Sequence, residues 1–379
     1  MKNIDKYRGC LIGGAAGDAL GYAVEFMDLA SIKRKYGQNG ITAFDLHNGL
    51  ALISDDTQMT LFTANGLLLG ITRGMTRGIM GTLPSYIRFC YKDWYKTQTK
   101  QYPLHEDCIY AWLSNVPEMF AQRAPGNTCL SAIESGCNGK LEEPVNGSKG
   151  CGGVMRVAPI GLYLPDNENM RMSQDEIDMI GAETAALTHG HPLGCIPAAA
   201  LAHIVSLASH WDGLSLTEIV DDMKIAISEQ FADGKYLSPF IELVDKAVAL
   251  AKSNMSNEDA IRQLGEGWVA EETLAIAIYC AVKYEDDFEK ALIVSVNHDG
   301  DSDSTGAVTG NILGAYLGLS KIPSKFIDNL ELKEIILDMA DDLYNDCQMT
   351  EYGSYFDPVW EHKYIERDYT PKKGAGYNE

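Results

Sequence analysis

Asp299, Asp301 and Asp303 stand at alternate positions at the start of DGDSDSTGAVTGNILGAYLG, residues 299–318, after which charge gives way to an apolar, glycine-rich run. Carboxylates this close repel one another unless a cation sits among them. Hard divalent ions such as Mg2+, Mn2+ or Ca2+ prefer the carboxylate, hydroxyl and water oxygens that Asp, Ser and Thr offer. A plainer role competes: acidic and hydroxyl residues ahead of a helix cap its free N–H groups and complement its dipole. An EF-hand is excluded, because its loop would need Gly and Glu where this chain has Ser304 and Gly310.

Ser54, Asp55, Asp56 and Thr57 repeat that composition in ISDDTQMTLFTANGLLLG, residues 53–70. Ser54 reads as an N-cap, which puts Asp55 and Asp56 in the first helical turn. Two such clusters, distant in the chain and each followed by an apolar helix, point to convergence on one metal site. Glu25, at the end of GDALGYAVEF, joins them as a base or water-positioning group if the glycine-rich helices pack together. In GSKGCGGVMRVAP, residues 147–159, glycines can bring backbone N–H groups close to an anion, and Lys149 or Arg156 would add positive charge. The spacing is not that of a P-loop. His189 and His191 in LTHGHPLG are closely spaced, but no further His or Cys cluster supports a zinc site, and helix C-terminal capping competes for both.

The elements that must carry these residues are helical. Periodicity predicts helices over 9–24, 55–70, 174–188, 195–209, 216–231, 239–252, 257–264, 269–283, 286–296, 304–318 and 332–347, with no convincing strand pattern. Gly13, Gly17 and Gly21, and likewise Gly306, Gly310, Gly314 and Gly318, recur every fourth residue and strip one helix face of side chains. Close backbone approach inside a helical core is the expected use, since Asp18 and Asn311 interrupt these runs. Residues 31–50, 91–107 and 138–153 read as loops, and the tail from about 366 as frayed. No linker divides the chain, so residues 1–379 are expected to form one domain.

An apolar fraction of 46% provides ample core, and no uninterrupted apolar stretch is long enough to span a membrane. The nine scattered cysteines, odd in number and without a CxxC pair, suit reduced thiols in a cytoplasmic protein rather than a disulfide framework. A net charge of −22 argues against non-specific binding to nucleic acid or anionic membranes. An anionic small ligand would need local cations.

Taken in order, GCLIGGAAGDALGYAVEF, ISDDTQMT, KGCGGVMRVAP, THGHP, WVAEETLAIAIYC and NHDGDSDSTGAVTGNILGA resemble the ADP-ribosylglycohydrolase family, from about residue 9 to about residue 320. The resemblance implies an all-α fold, a single compact orthogonal bundle of many helices, with a binuclear Mg2+ or Mn2+ centre that hydrolyses ADP-ribose from a protein side chain or metabolite. By resemblance Ser54, Asp55, Asp56, Asp301, Asp303 and Ser304 are the metal ligands, with Asp299 outside the ligand set. Glu25 matches the glutamate placed over the metals, and proton transfer falls to Asp55, Asp56 or Glu25. Ser148, Gly150, Cys151, Gly152 and His189 would hold the ADP-ribose, His189 near the adenosine. Cys151 stands where relatives often have Asn, and Ser304 where they often have Thr.

The four aspartates would balance two divalent cations, and C1″ of the ribose would pass through an oxocarbenium-like state. An arginine-type N-glycosidic linkage is the favoured substrate bond, with an ADP-ribosylated protein or small conjugate as partner. Specificity is expected in loops 27–50 and 84–126. Two other functions fit the same residues: a two-metal phosphoesterase acting on a nucleotide, and a non-catalytic ADP-ribose binder or immunity protein.

Overall fold

A computed structural model describes residues 2–163, 172–232 and 234–371. Its helices are α1 Ile4–Tyr22, α2 Leu29–Tyr36, α3 Asp55–Arg77, α4 Leu83–Thr99, α5 Asn127–Glu134, α6 Ala158–Leu162, α7 Gln174–Ala186 and α8 Pro192–His210. They continue as α9 Leu216–Gln230, α10 Leu237–Ala251, α11 Asn257–Leu264, α12 Ala270–Lys283, α13 Phe288–Val296, α14 Ser302–Leu317 and α15 Lys333–Asn345. Only isolated bridges, such as Gly150 with Val269, and no strand occur among the described residues. The protein is all-α, as the periodicity requires.

Each helix predicted from periodicity is present, with ends shifted by a few residues where caps decide. Ser173 and Ser215 start α7 and α9 through capping boxes with Glu176 and Glu218, satisfying free N–H groups at both helix starts. Two expected loops prove partly helical. Within 31–50 lies most of α2, and 91–107 begins inside α4. In α4 the apolar stripe is Leu83, Tyr86, Ile87, Cys90, Tyr91 and Trp94, a helical spacing disguised by aromatic side chains with little intrinsic helix preference. Burial of that stripe against α3 supplies what propensity does not.

The core begins with a glycine contact between α1 and α14, which run antiparallel. Gly9 faces Gly314, Gly13 faces Gly310 and Gly17 faces Gly306, each so close that an added Cβ would enter the partner's carbonyl group. Both helices are buried almost all round. Asn311 reaches across and donates its side-chain amide to Cys10 O at 2.9 Å, fixing the register. This packing brings the end of α1 to the start of α14.

Helix α8 is apolar and long enough to cross a membrane by length and composition, but 94% of its most apolar window is buried by the rest of the protein. Its neighbours α6, α7, α9 and α12 account for that composition. The tail departs from expectation over 366–371. Asn115 donates its amide to Arg367 O and Tyr369 O at 3.0 and 3.1 Å, and the Tyr369 ring sits edge-on to Trp112. Two backbone acceptors and one aromatic contact hold this stretch down, while 372–379 lie outside the described residues.

Candidate active site

Ser54 N-caps α3 by accepting from Asp56 N at 3.2 Å, and Asp301 N-caps α14 by accepting from Ser304 N at 3.3 Å. Capping and ligand supply therefore coexist: the same turn that satisfies the helix start presents Asp55, Asp56 and Asp303 beyond it. Asp55, Asp56, Asp301, Asp303, Ser54 and Ser304 are all at most 5% exposed. The Ser54 hydroxyl reaches Asp303 and joins the two clusters directly. Gly126 N donates to Asp55 Oδ2 at 3.2 Å, so segment 123–126 closes one side.

Glu25 lies three residues beyond α1 and is 8% exposed. Burial, then the neighbouring Asp303 and Asp301, push its carboxyl up to about 10. Asp55, Asp56 and Asp301 are held far above the ordinary carboxylate range, first by burial and then by Asp303. Burial also raises Asp303. One oxygen each of Glu25 and Asp56 is buried without a hydrogen-bond partner. Such oxygens are expensive to desolvate alone and suit a hard cation. The donor set fits divalent ions on these grounds.

Asp18 belongs to the same group and was missed as a site residue. Its carboxylate accepts from Ser54 N at 2.9 Å, from Thr57 N at 3.1 Å and from the Thr57 hydroxyl. It thus fastens α1 to the start of α3. Burial, followed by repulsion from Asp303, lifts its carboxyl to about 7. The available signal was a lone acid in an apolar, glycine-lined helix, which must have a partner to be buried. Asp299, by contrast, turns away and accepts from Leu29 N at 2.7 Å, anchoring the start of α2 behind Glu25.

The glycine loop meets this acidic group from the other side. The Cys151 thiol hydrogen-bonds with Asp301 and Ser304, while Cys151 N donates to Trp268 O at 3.3 Å. Gly150 and Gly152 lie against the His189 ring, and a Cβ on Gly152 would sit 3.0 Å from His189 Cε1. Ser148 Oγ pairs with Thr128 Oγ1 at 3.3 Å at the loop's entrance. His189 is buried and kept neutral, its pKa lowered to about 3 by burial and then by Arg156. His189 donates its backbone N–H to Ala185 O at 3.0 Å at the end of α7 while its ring faces the loop, whereas His191 N-caps α8 by accepting from Leu193 N at 3.0 Å. Arg156 is fully buried, stacks over Tyr91 at 4.4 Å and donates to Thr188 Oγ1 at 2.7 Å, so it braces the His189 turn rather than facing an anion.

The carboxylates, Ser54, Ser304 and Cys151 meet in one place and Ser148, Gly150, Gly152 and His189 group in the adjoining loop, but the acids are not tightly caged. Ligand atoms of three His, Cys, Asp or Glu residues come within 4.8 Å of one another, among the described residues, only at the exposed His362, Glu366 and Asp368. Wider spacing suits ions that keep part of their water shell, as Mg2+ does. Within the expected specificity segment 84–126, residues 123–126 border Asp55, whereas 84–99 belong to α4. A cavity of about 500 Å3 lined by Lys149, Trp268, Val269 and Asp299 opens beside the site, and a larger one of about 920 Å3 lies elsewhere, near Asp342 and Asp346. Chemistry rather than cavity size locates the site.

Fold and site together define an all-α protein in which two helix N-termini and a glycine loop enclose buried carboxylates. The ADP-ribosylglycohydrolase sequence profile matches residues 1–353, and the chain belongs to that family. It is 26% identical over 355 residues to the ADP-ribosylhydrolase ARH3 of Mus musculus, covering 87% of this chain and 88% of that one. The ADP-ribosyl-[dinitrogen reductase] glycohydrolase of Rhodospirillum rubrum is 25% identical over 339 residues, covering 87% and 91%. An ADP-ribosylarginine hydrolase of Serratia proteamaculans matches at 31% over 110 residues, 29% of this chain and 30% of that one. A solved ADP-ribosylglycohydrolase-related protein complex shares the fold, with a TM-score of 0.53 at 24% identity over 90% of this chain and 98% of that one. The chain is a glycohydrolase enzyme acting on ADP-ribosyl linkages.

Proposed function

We propose that the enzyme uses two Mg2+ or Mn2+ ions, held by Ser54, Asp55, Asp56, Asp301, Asp303 and Ser304, to release ADP-ribose from an arginine-type N-glycosidic linkage on a protein or small conjugate. The observation that carries this is the meeting of Asp55, Asp56, Asp301, Asp303 and Glu25 in one buried site, with oxygens of Asp56 and Glu25 unpaired. The linkage preference draws on the name of the Serratia relative, an ADP-ribosylarginine hydrolase, and on the site's acidity, which suits a cationic guanidinium leaving group. Residues 1–379 are read as one domain. The cysteines, all free, support a reducing, cytoplasmic setting.

Bound ions of this kind would gather ribose hydroxyls and a water and lower that water's pKa. The chain's own residues do the rest. Neutral His189 and the glycine loop 150–152 packed against its ring hold the nucleotide end, with Cys151 between that loop and Asp301. Glu25, buried beside Asp303 and Asp301, moves the proton between water and leaving group. Asp18 keeps the start of α3 in register with α1.

Arginine-, serine- and ester-linked ADP-ribose assayed with Mg2+, with Mn2+ and with EDTA test the proposal. Intact ADP-ribose from the arginine conjugate, lost with EDTA and with Asp55→Ala/Asp303→Ala, is expected. Cleavage at a phosphate, or turnover unchanged by EDTA, sinks it.

A further inference from the structure

At the far end of α3 another cavity, of about 450 Å3, is lined by Arg73, Arg77 and Arg367 together with Tyr86, Phe89 and Tyr110. Arg73 is 18 residues from Asp55 on the same helix, which places the cavity about 27 Å from the carboxylate site. It has no acidic residue among its described lining residues. This is unusual here, because the chain carries 53 acidic against 31 basic residues, and many cations find carboxylates: Arg8 with Asp341, Lys96 with Asp93, Arg123 with Glu331, Lys363 with Asp342. Arg73, Arg77 and Arg367 have no carboxylate partner among the described residues. Capping of the α3 dipole accounts for Arg77 in the last turn, but not for Arg73 a turn earlier or for Arg367 from the chain's other end.

Three further observations give the cavity a direction. Arg367 Nε is buried without a hydrogen-bond partner, and its residue is held at φ +63°, a conformation a side chain of this kind rarely adopts. The start of α4 forms another wall through Ser85 and Tyr86; Thr82 makes no side-chain capping bond, Pro84 has no N–H and Ser85 N already donates to Thr82 O at 3.0 Å, so what this helix end offers an anion is the positive end of its dipole. Phe89 and Tyr110 stack at 4.5 Å, with the Arg367 guanidinium 5.9 Å from the Tyr110 ring centre. Guanidinium forks recognise phosphate oxygens bidentately, and flat aromatic walls accept a planar base. The cavity volume falls within the usual small-molecule range.

We infer that this cavity is a second binding site, separate from the carboxylate centre, for a nucleoside phosphate, whose phosphates lie among Arg73, Arg77, Arg367 and the start of α4 and whose base lies against the aromatic wall. The local cations supply what a chain of charge −22 otherwise denies an anion. ADP and inorganic pyrophosphate are the probes, read by hydrogen exchange and by titration calorimetry on the full chain. ADP is expected to slow exchange over 70–90 in the wild type. Arg73→Gln/Arg77→Gln, at two exposed positions, should abolish that protection while leaving any ADP protection at 148–152 intact, and should weaken the distal binding at least about tenfold, as expected for lost charge-assisted contacts. Pyrophosphate should bind the same residues more weakly than ADP. Absence of protection over 70–90, or its persistence in the double variant, overturns the site; pyrophosphate binding as tightly as ADP overturns the nucleoside assignment.

Discussion

Replacing Gly17 with alanine adds one methyl group where α1 and α14 have no room for it. A Cβ there lies 2.9 Å from Ala307 N and nearer still to the Gly306 carbonyl, against about 3.5 to 4.0 Å for a relaxed nonbonded contact. The obstacle is backbone, so no rotamer change relieves it. The Gly306 carbonyl sets the requirement: the helices must part by more than about 1 Å, and overpacking of this order costs at least about 1–3 kcal/mol. Helix propensity acts in the opposite sense, since alanine gains about 1 kcal/mol over glycine in a helix interior. A net loss of at least about 0 to 2 kcal/mol is therefore expected. The catalytic penalty should be larger than the stability penalty, because Gly17 adjoins Asp18 and the same contact sets Glu25 against Asp301 and Asp303. A shift of about 1 Å at a reacting constellation costs about 100-fold in rate. Urea unfolding followed by circular dichroism and an ADP-ribose release assay measure the two effects. Gly126→Ala is the control, with nothing within 4 Å of its Cβ and its N–H to Asp55 kept. If Gly17→Ala gained the propensity term in full and kept wild-type turnover, the claim that the glycine contact positions the site would be wrong.

Asp18→Asn keeps the shape but puts an NH2 where a carboxylate oxygen now accepts from Ser54 N and Thr57 N, so a destabilisation of about 1–3 kcal/mol in chemical denaturation is expected, with loss of turnover at saturating Mg2+. A stability equal to wild type would show that this carboxylate does not fasten α1 to α3. His203 offers a pH test. Both ring nitrogens face carboxylates, Asp178 at 2.8 Å and Asp222 at 3.0 Å, and only an imidazolium can donate to both. Burial pulls its pKa down, but the bonds to Asp178 and Asp222 outweigh that and leave it raised. A raised folded pKa gives stability that is complete below the unfolded value, about 6.5, and is lost as pH rises through the folded value. The advantage of wild type over His203→Gln, about 1–3 kcal/mol at pH 5, should therefore shrink above neutrality; a gap that widens with pH would contradict the charged bridge.

Much of this enzyme could be read from local pattern. Helix α3 announces itself because Ser54 caps it and apolar residues follow at helical spacing, and both requirements lie within a few residues of each other. The two acidic triplets were legible for the same reason: carboxylates and hydroxyls at a helix start are a local arrangement whether they cap, bind a cation or, as here, are built to do both. Helix α4 was obscured because its aromatic stripe is stabilised only by burial against α3, a partner that periodicity within one segment does not reveal.

What only the tertiary structure decided is which acids meet. Glycines every fourth residue told that two helix faces were bare, but not that Gly17 would face Gly306 and so deliver Asp18 and Glu25 to Asp301 and Asp303. Asp299 and Asp301 look alike in sequence, yet one accepts from Leu29 N and the other caps α14 within reach of Cys151. Arg73, Arg77 and Arg367 carry no shared motif and come together only because residues 358–366, a further helical stretch, return to the end of α3. Local bonding determines where a helix starts and which side chains it offers; the register of backbone against backbone, set by steric exclusion at single glycines, determines what those side chains face.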